Sequence, residues 1–477
     1  MNYRMIKKTL GWLLIFEAAF FLLPLVTGLI YREKAAFSFL FAILCTAGVG
    51  VILILGKTKT TKLYSRDGFV IVALSWIFLS LFGALPFLFS GVTSSFTDAL
   101  FETVSGFTTT GASIFEAVEN LPRSILIWRS FTNWIGGMGV LVFIMAFLPL
   151  GGAHNMNIMK AESPGPSVSK LVPKVKTTAL ILYVIYVAFT FLLFILLLCG
   201  GESFFDALNI SFSTAGTGGF ATRNDSFAGF SSYTQVVTTV FMLLFSINFS
   251  SYFLAFRGRF KEAFNTEVRV FLAIVLTAIL IITLDVASSF GSVGEALKHA
   301  AFTVSSVVST TGFATADFNL WPALSKTLIV LLMFMGACAG STGGGIKVSR
   351  IVILVKGAIR ELGMIIHPKQ VKKISLDSKK VEHEVVRSVN AYIVSYILLY
   401  IVSLIVLSFE EYDLVTNFTA VAATLNNIGP GLELVGPTAN FAFFSVPSKF
   451  ILIFDMLAGR LELFPMLILF NPNTWKK

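Results

Sequence analysis

The chain has 477 residues, of which 56% are hydrophobic and 13% charged, and its mean hydropathy is +0.83. A soluble domain carries about a quarter charged residues, so a soluble globular fold is excluded. The net charge of +10 comes without an aromatic-interleaved basic patch, which argues against a nucleic-acid partner.

Apolar runs of the roughly 20 residues that span a bilayer predict an all-α polytopic membrane protein. Ten crossings are expected, over 9–31, 35–56, 69–90, 123–150, 178–200, 232–256, 268–287, 321–357, 388–408 and 448–470, the eighth being interrupted. The first is too long for a signal-peptide core and lacks a small-residue cleavage site, so it reads as a retained helix. With a cytoplasmic N-terminus, segments 1–8, 57–67, 151–177, 257–267, 346–387 and 471–477 lie inside. With Arg269 they hold 27 of the 36 Lys and Arg. The positive charge is thus a topology signal, and both termini are expected in the cytoplasm. Cys45, Cys199 and Cys338 sit apart in apolar stretches, and the four histidines have no metal-site spacing. Neither a disulfide framework nor a metal site is implied.

Four shorter segments fall between crossings on the outer side: Asp98–Ser113, Asp206–Thr222, His299–Thr315 and Thr416–Leu432. Each has about one half-membrane of helical character, then a Thr- or Asn-rich stretch ending in glycine. They are too short to cross, so each predicts a re-entrant half-helix followed by an extended strand. The expected organisation is a two-helix hairpin (1–66) and four M1–pore-helix–M2 repeats (67–176, 177–264, 265–387, 388–477). The repeats are expected to stand pseudo-fourfold around a central ion pore.

Such strands suit a cation. Backbone carbonyls replace a hydration shell without a net charge that would trap the ion. Glycine permits the backbone conformation this needs, and the half-helices would aim their partly negative C-termini at the axis. The expected filter is Thr109, Thr110 and Gly111; Thr217 and Gly218; Thr310, Thr311 and Gly312; Asn427, Ile428 and Gly429. Asp206 to Gly218 is one residue shorter than Asp98 to Gly111, which blurs register in the second repeat while leaving Gly218 as its filter glycine.

Within the eighth crossing, Gly340, Ser341, Thr342, Gly343, Gly344 and Gly345 belong to a stretch too rich in glycine for a stable helix, each glycine costing about 1 kcal/mol relative to Ala. An intramembrane loop is expected, with a glycine-rich helix-packing face as the alternative. A phosphate-binding loop is excluded, because Ile346 follows Gly345 where lysine is needed. Arg460 is read as the middle of the last crossing. Its expected partners are carbonyls of 340–345 or Glu462, making it either a positive constriction or a structural ion pair.

The motifs SGFTTTGA, GTGGFAT, STTGFAT, NNIGPGL, NWIGGMG, GACAGSTGGGIKVSR and AGRLELF resemble the TrkH-type subunits of the Trk/Ktr/HKT superfamily of potassium transporters, over nearly the whole chain. The resemblance implies K+ as the transported ion, bound at the filter residues, with glycine in all four repeats favouring K+ over Na+. It also implies that loop 340–345 with Arg460 acts as a gate. It further implies a homodimer in the lipid of a bacterial plasma (inner) membrane, and a separate cytosolic TrkA-type nucleotide-binding ring docked on the basic segment 346–387. No nucleotide-binding motif occurs in this chain. Two rival readings fit the sequence less well. An intramembrane protease with Ser341 as nucleophile and His299 as base leaves three repeats unexplained. An inverted-repeat transporter would show two broken helices rather than four parallel half-helices. Channel-like flow and ion-coupled symport stay open.

Overall fold

A computed structural model describes residues 1–55, 64–139, 175–368, 373–377 and 379–476. The inner segment 151–177, most of 57–67, and the end of the fourth expected crossing beyond residue 139 thus lie largely outside the described residues. So do Lys369, Lys372 and Lys477 of the basic inner face.

The molecule is mostly helical. Among the described residues, six stretches are long and apolar enough to cross a membrane: Tyr3–Ile30, Ala36–Ile54, Arg66–Phe89, Thr177–Cys199, Thr266–Ser289 and His383–Glu410. Leucine, phenylalanine and valine cover their outer faces, as at Phe41, Leu44, Phe191, Leu280, Leu284 and Val394, all exposed. In lipid such surface needs no further burial.

Two expected crossings differ from the reading above. The run 232–256 is two helices, Ser232–Ser246 and Phe249–Phe256, bent by 91° at Ile247–Asn248. Asn248 caps the second, its side chain accepting the Ser250 N–H at 2.8 Å. The run 448–470 is likewise not continuous. Its helix, Val446–Arg460, stops because Glu462 and Leu463 both adopt positive φ and Pro465 follows. Arg460 therefore ends a helix instead of standing mid-crossing. The eighth crossing is interrupted as expected: Ala323–Met335 and Val348–Ile366 are helical, and 336–347 between them is not. The basic segment 346–387, expected inside, carries that second amphipathic helix, with Val355, Ile359, Leu362 and Ile366 exposed on one side. An antiparallel pair, Ser375–Leu376 with Lys379–Lys380, follows it.

Acidic side chains from neighbouring helix ends and turns cap the returning helices, where carboxylates suit free N–H groups. Glu33 accepts from Arg123 N (2.7 Å) and Ser124 N (3.0 Å) at the start of Arg123–Gly137. Asp285 accepts from Ser325 N at 3.1 Å, and Glu410 from Ser445 N at 3.1 Å. Pro122 and Pro322 precede two of these helices and offer no cap of their own.

The N-terminal hairpin docks on the first repeat through Trp128, which lies 4.6 Å from Phe21 and donates to Gly83 O at 3.0 Å. The hairpin itself closes through glycines. A Cβ on Gly11 would stand 2.7 Å from Gly50 O, and one on Gly50 3.0 Å from Gly11 O. Gly11→Ala should therefore lower stability by about 1–3 kcal/mol through overpacking. A thermal midpoint in detergent equal to that of the parent protein would refute this packing.

Candidate functional site

Four half-helices converge on one place: Phe96–Phe107, Phe204–Gly216, Val293–Val308 and Leu414–Leu425. Each begins on a side-chain cap, from Ser95, Ser203, Ser292 and Asp413 in turn, accepting the N–H three residues on. Each ends in the same closure. Thr110 N donates to Ser105 O at 2.8 Å, Gly218 N to Ser213 O at 2.9 Å, Thr311 N to Ser306 O at 2.8 Å and Ile428 N to Ala423 O at 2.8 Å. This is the helix-ending bond that needs a left-handed residue just before it. That residue is Thr109, Thr217, Thr310 or Asn427, at φ 54 to 59°. A β-branched residue in this region is strained by roughly 1–2 kcal/mol, and such strain gathers at functional sites.

The next two positions form the ring. Positive-φ glycines stand at Gly111, Gly219, Gly312 and Gly429. A Cβ on Gly111 would collide with Gly218 O, one on Gly219 with Thr311 O and one on Gly312 with Ile428 O. One on Gly429 would stand 2.7 Å from Thr110 O. The contacts run from first strand to second, third, fourth and back to the first. One cavity is lined by all four of these glycines.

This corrects the second repeat. Gly219, not Gly218, holds the register of Gly111, Gly312 and Gly429, and Gly218 aligns with Thr110, Thr311 and Ile428. The sequence held the signal in the tetrapeptide GFAT, which follows the same register at 219–222 and 312–315. The interval from Asp206 to Gly219 then equals that from Asp98 to Gly111. Side chains agree: Thr222 bonds Asp206 at 2.8 Å just as Thr315 bonds His299 Nδ1 at 2.8 Å.

Beneath the ring, all four returning helices stop: at Gly137, Ser246, Met335 and Arg460. The glycine stretch 336–347 fills this level as a loop, so the helix-packing alternative falls. Its freed backbone pairs with the break in the second repeat. Cys338 N donates to Ser246 O (3.0 Å), Thr342 N to Phe245 O (3.3 Å) and Phe249 N to Gly340 O (3.1 Å). Glu267 ties both ends, accepting from Ala339 N at 2.7 Å and Ser349 N at 3.1 Å. Gly344 N donates to the Thr310 hydroxyl at 2.6 Å, joining loop to ring. Lys347 reaches back to Gly343 O.

Arg460 meets the loop rather than Glu462, which pairs with Arg350. Its guanidinium donates to Thr342 O at 2.8 Å, to the Thr109 hydroxyl at 3.3 Å, to Gly137 O at 2.7 Å and to Gly136 O. Three repeats thus meet at one cation. Ser341 and His299 are not brought together: Ser341 Oγ donates to Cys338 O at 2.6 Å, and His299 holds Thr315.

The sequence reading missed the Asn248 break, the Glu267 tie and a buried ion pair, Glu102–Arg129, at 2.7 Å. The role of NWIGGMG and AGR also becomes concrete. A Cβ on Gly136 would collide with Phe107 O, and one on Gly459 with Leu425 O, so glycine lets these helices touch the half-helix ends.

The TrkH family model, described as a cation transport protein, matches residues 34–477. The Trk system potassium uptake protein TrkH of Salmonella typhimurium is 38% identical over 485 residues, covering 100% of both chains. The Trk system potassium uptake protein TrkG of Escherichia coli is 34% identical, covering 100% of this chain and 99% of its own. The crystal structure of the potassium transporter TrkH from Vibrio parahaemolyticus superposes with a TM-score of 0.90 at 35% identity, covering 100% of both.

The Thr310–Gly344 bond is buried. Thr310→Val leaves the Gly344 N–H without its acceptor, at about 1–3 kcal/mol. In a Cys45→Ser/Cys199→Ser background, maleimide labelling of the buried Cys338 should rise by about tenfold. An unchanged rate would mean that this bond does not hold the loop.

Proposed function

The chain belongs to the TrkH family of cation transport proteins, and we propose that it is the pore-forming subunit of a potassium uptake system, passing K+ through a carbonyl-lined filter above an intramembrane gate. The observation that carries this reading is the closed cycle of glycine-to-carbonyl contacts through Gly111, Gly219, Gly312 and Gly429. Four strands at one register supply rings of four backbone oxygens, which can replace the hydration shell of an alkali cation. The half-helices ending at the ring add the partial negative charge of their C-termini. Similarity to potassium uptake and potassium transporter proteins supports K+ as the cargo.

In this reading the filter comprises residues 109–111, 217–219, 310–312 and 427–429, with Gly219 as the glycine of the second repeat. The gate comprises loop 340–345 and Arg460. A guanidinium within 3.3 Å of the Thr109 hydroxyl sets a positive charge at the foot of the filter, and the loop lies beside it through Thr342 O. Displacing the loop removes one of the carbonyls that hold the guanidinium there and clears the path. Ten crossings, pseudo-fourfold order, cytoplasmic termini and the division at 66, 176, 264 and 387 belong to the same reading, supported by the distribution of Lys and Arg. So do a homodimer in a bacterial inner membrane and a cytosolic nucleotide-binding ring against the basic inner face.

Two measurements test it. Gly111→Ser and Gly219→Ser should each lower discrimination of K+ over Na+ by about tenfold, equal to 1.4 kcal/mol of relative binding, in competition uptake by proteoliposomes. Native ratios in both would remove the filter. Arg460→Ala should raise K+ flux severalfold at equal reconstituted protein, whereas equal or lower flux in intact protein would remove the gate.

A further inference from the structure

We infer that the buried Glu102–Arg129 pair is a positioning pair for ion selection, stapling the first strand of the ring to the second; the inference rests on the reading of that ring as the filter.

Glu102 lies on the first half-helix, nine residues before Gly111. The corresponding residues of the other repeats are Ile210, Thr303 and Ala420, none of them charged. Its side chain is 0% exposed and that of Arg129 2%. A buried ion pair is weak evidence for stability, since apolar residues of similar volume often serve as well. What this pair does is geometric. Both carboxylate oxygens lie 3.1 Å from the Ser113 hydroxyl, and one also accepts Ile114 N at 3.0 Å. The carboxylate thus holds the chain just after Gly111 from behind.

Arg129 spends its other nitrogens elsewhere. Nη2 donates to the Ser113 hydroxyl at 3.3 Å, and Nη1 donates to Ala221 O, two residues beyond Gly219, at 3.3 Å. Its guanidinium carbon lies 4.2 Å from the centre of the Phe220 ring. One planar fork therefore touches both strands immediately past their ring glycines, and Arg129 itself lines the cavity above them. A lysine could keep the ion pair but could not span all these partners.

The test separates a staple from a merely structural pair. Arg129→Lys preserves the charge and removes the fork. Ser113→Ala removes the hydroxyl shared by carboxylate and guanidinium, which also accepts Phe115 N at 3.1 Å. Each full-length variant is reconstituted in proteoliposomes beside Gly111→Ser, and K+ against Na+ competition is read as a ratio, which loss of folded protein does not move. The expected result is a ratio lowered by about tenfold in Arg129→Lys, the scale of one charge-assisted hydrogen bond, and by a smaller factor in Ser113→Ala. If Gly111→Ser lowers the ratio while both pair variants keep the native value, the staple is overturned and the filter stands. If Gly111→Ser also keeps it, the filter reading falls and the staple with it. Where Arg129→Lys does not assemble, the ratio in Ser113→Ala decides.

Discussion

Backbone that leaves a helix inside a bilayer has no water to turn to, so its N–H and C=O groups must find partners in protein. The structure around the ring follows from that constraint. Each half-helix end closes on itself through a pair of backbone bonds, as where Thr109 N donates to Gly106 O and Thr110 N to Ser105 O. The broken second-repeat helix and the glycine loop of the third satisfy one another. Arg460 takes the carbonyls of Gly136 and Gly137 at one helix end and that of Thr342 in the loop. Glycine is needed where these exchanges happen because a neighbour's carbonyl occupies the space of a Cβ, as at Gly136, Gly219 and Gly459.

Much of this was legible in the chain. Long apolar runs and four Thr- or Asn-rich stretches ending in glycine are local signals, and they mark the helices and the ring. The glycines of 336–345 gave the loop for the same reason. The second-repeat register was misread because counting stopped at the first glycine of a pair, whereas the φ of +74° belongs to Gly219. The Asn248 break was illegible for a different reason. No proline or glycine marks it, and its free groups are paired by a loop some ninety residues away. Glu102 and Arg129 likewise carry no motif: the two become partners only when a half-helix and its returning helix pack side by side.

Strands alike in backbone are held by unlike side chains. The first leans on a buried ion pair, the second on Asp206–Thr222, the third on His299–Thr315. The fourth uses the Thr419 hydroxyl, which accepts Leu432 N at 2.9 Å. A common closure at Thr109, Thr217, Thr310 and Asn427 gives each strand the same local backbone turn, while the side chains behind it differ. Substitutions behind different strands therefore meet different chemistry even where the strands themselves coincide.

Arg460 joins these two levels. One guanidinium donates to the hydroxyl of Thr109 in the ring and to the carbonyl of Thr342 in the loop. Its charge cannot be left without acceptors at this depth, so withdrawal of the loop carbonyl must be answered by the remaining ones or by water entering from below. Thr310, through Gly344 N, makes a second junction between the same two levels. Loop position and strand position are thereby linked at two points, in the first and third repeats, by bonds whose partners are buried or half-buried. A loop so connected cannot move as an independent flap: any displacement is felt first at the left-handed threonines, where the backbone is already strained.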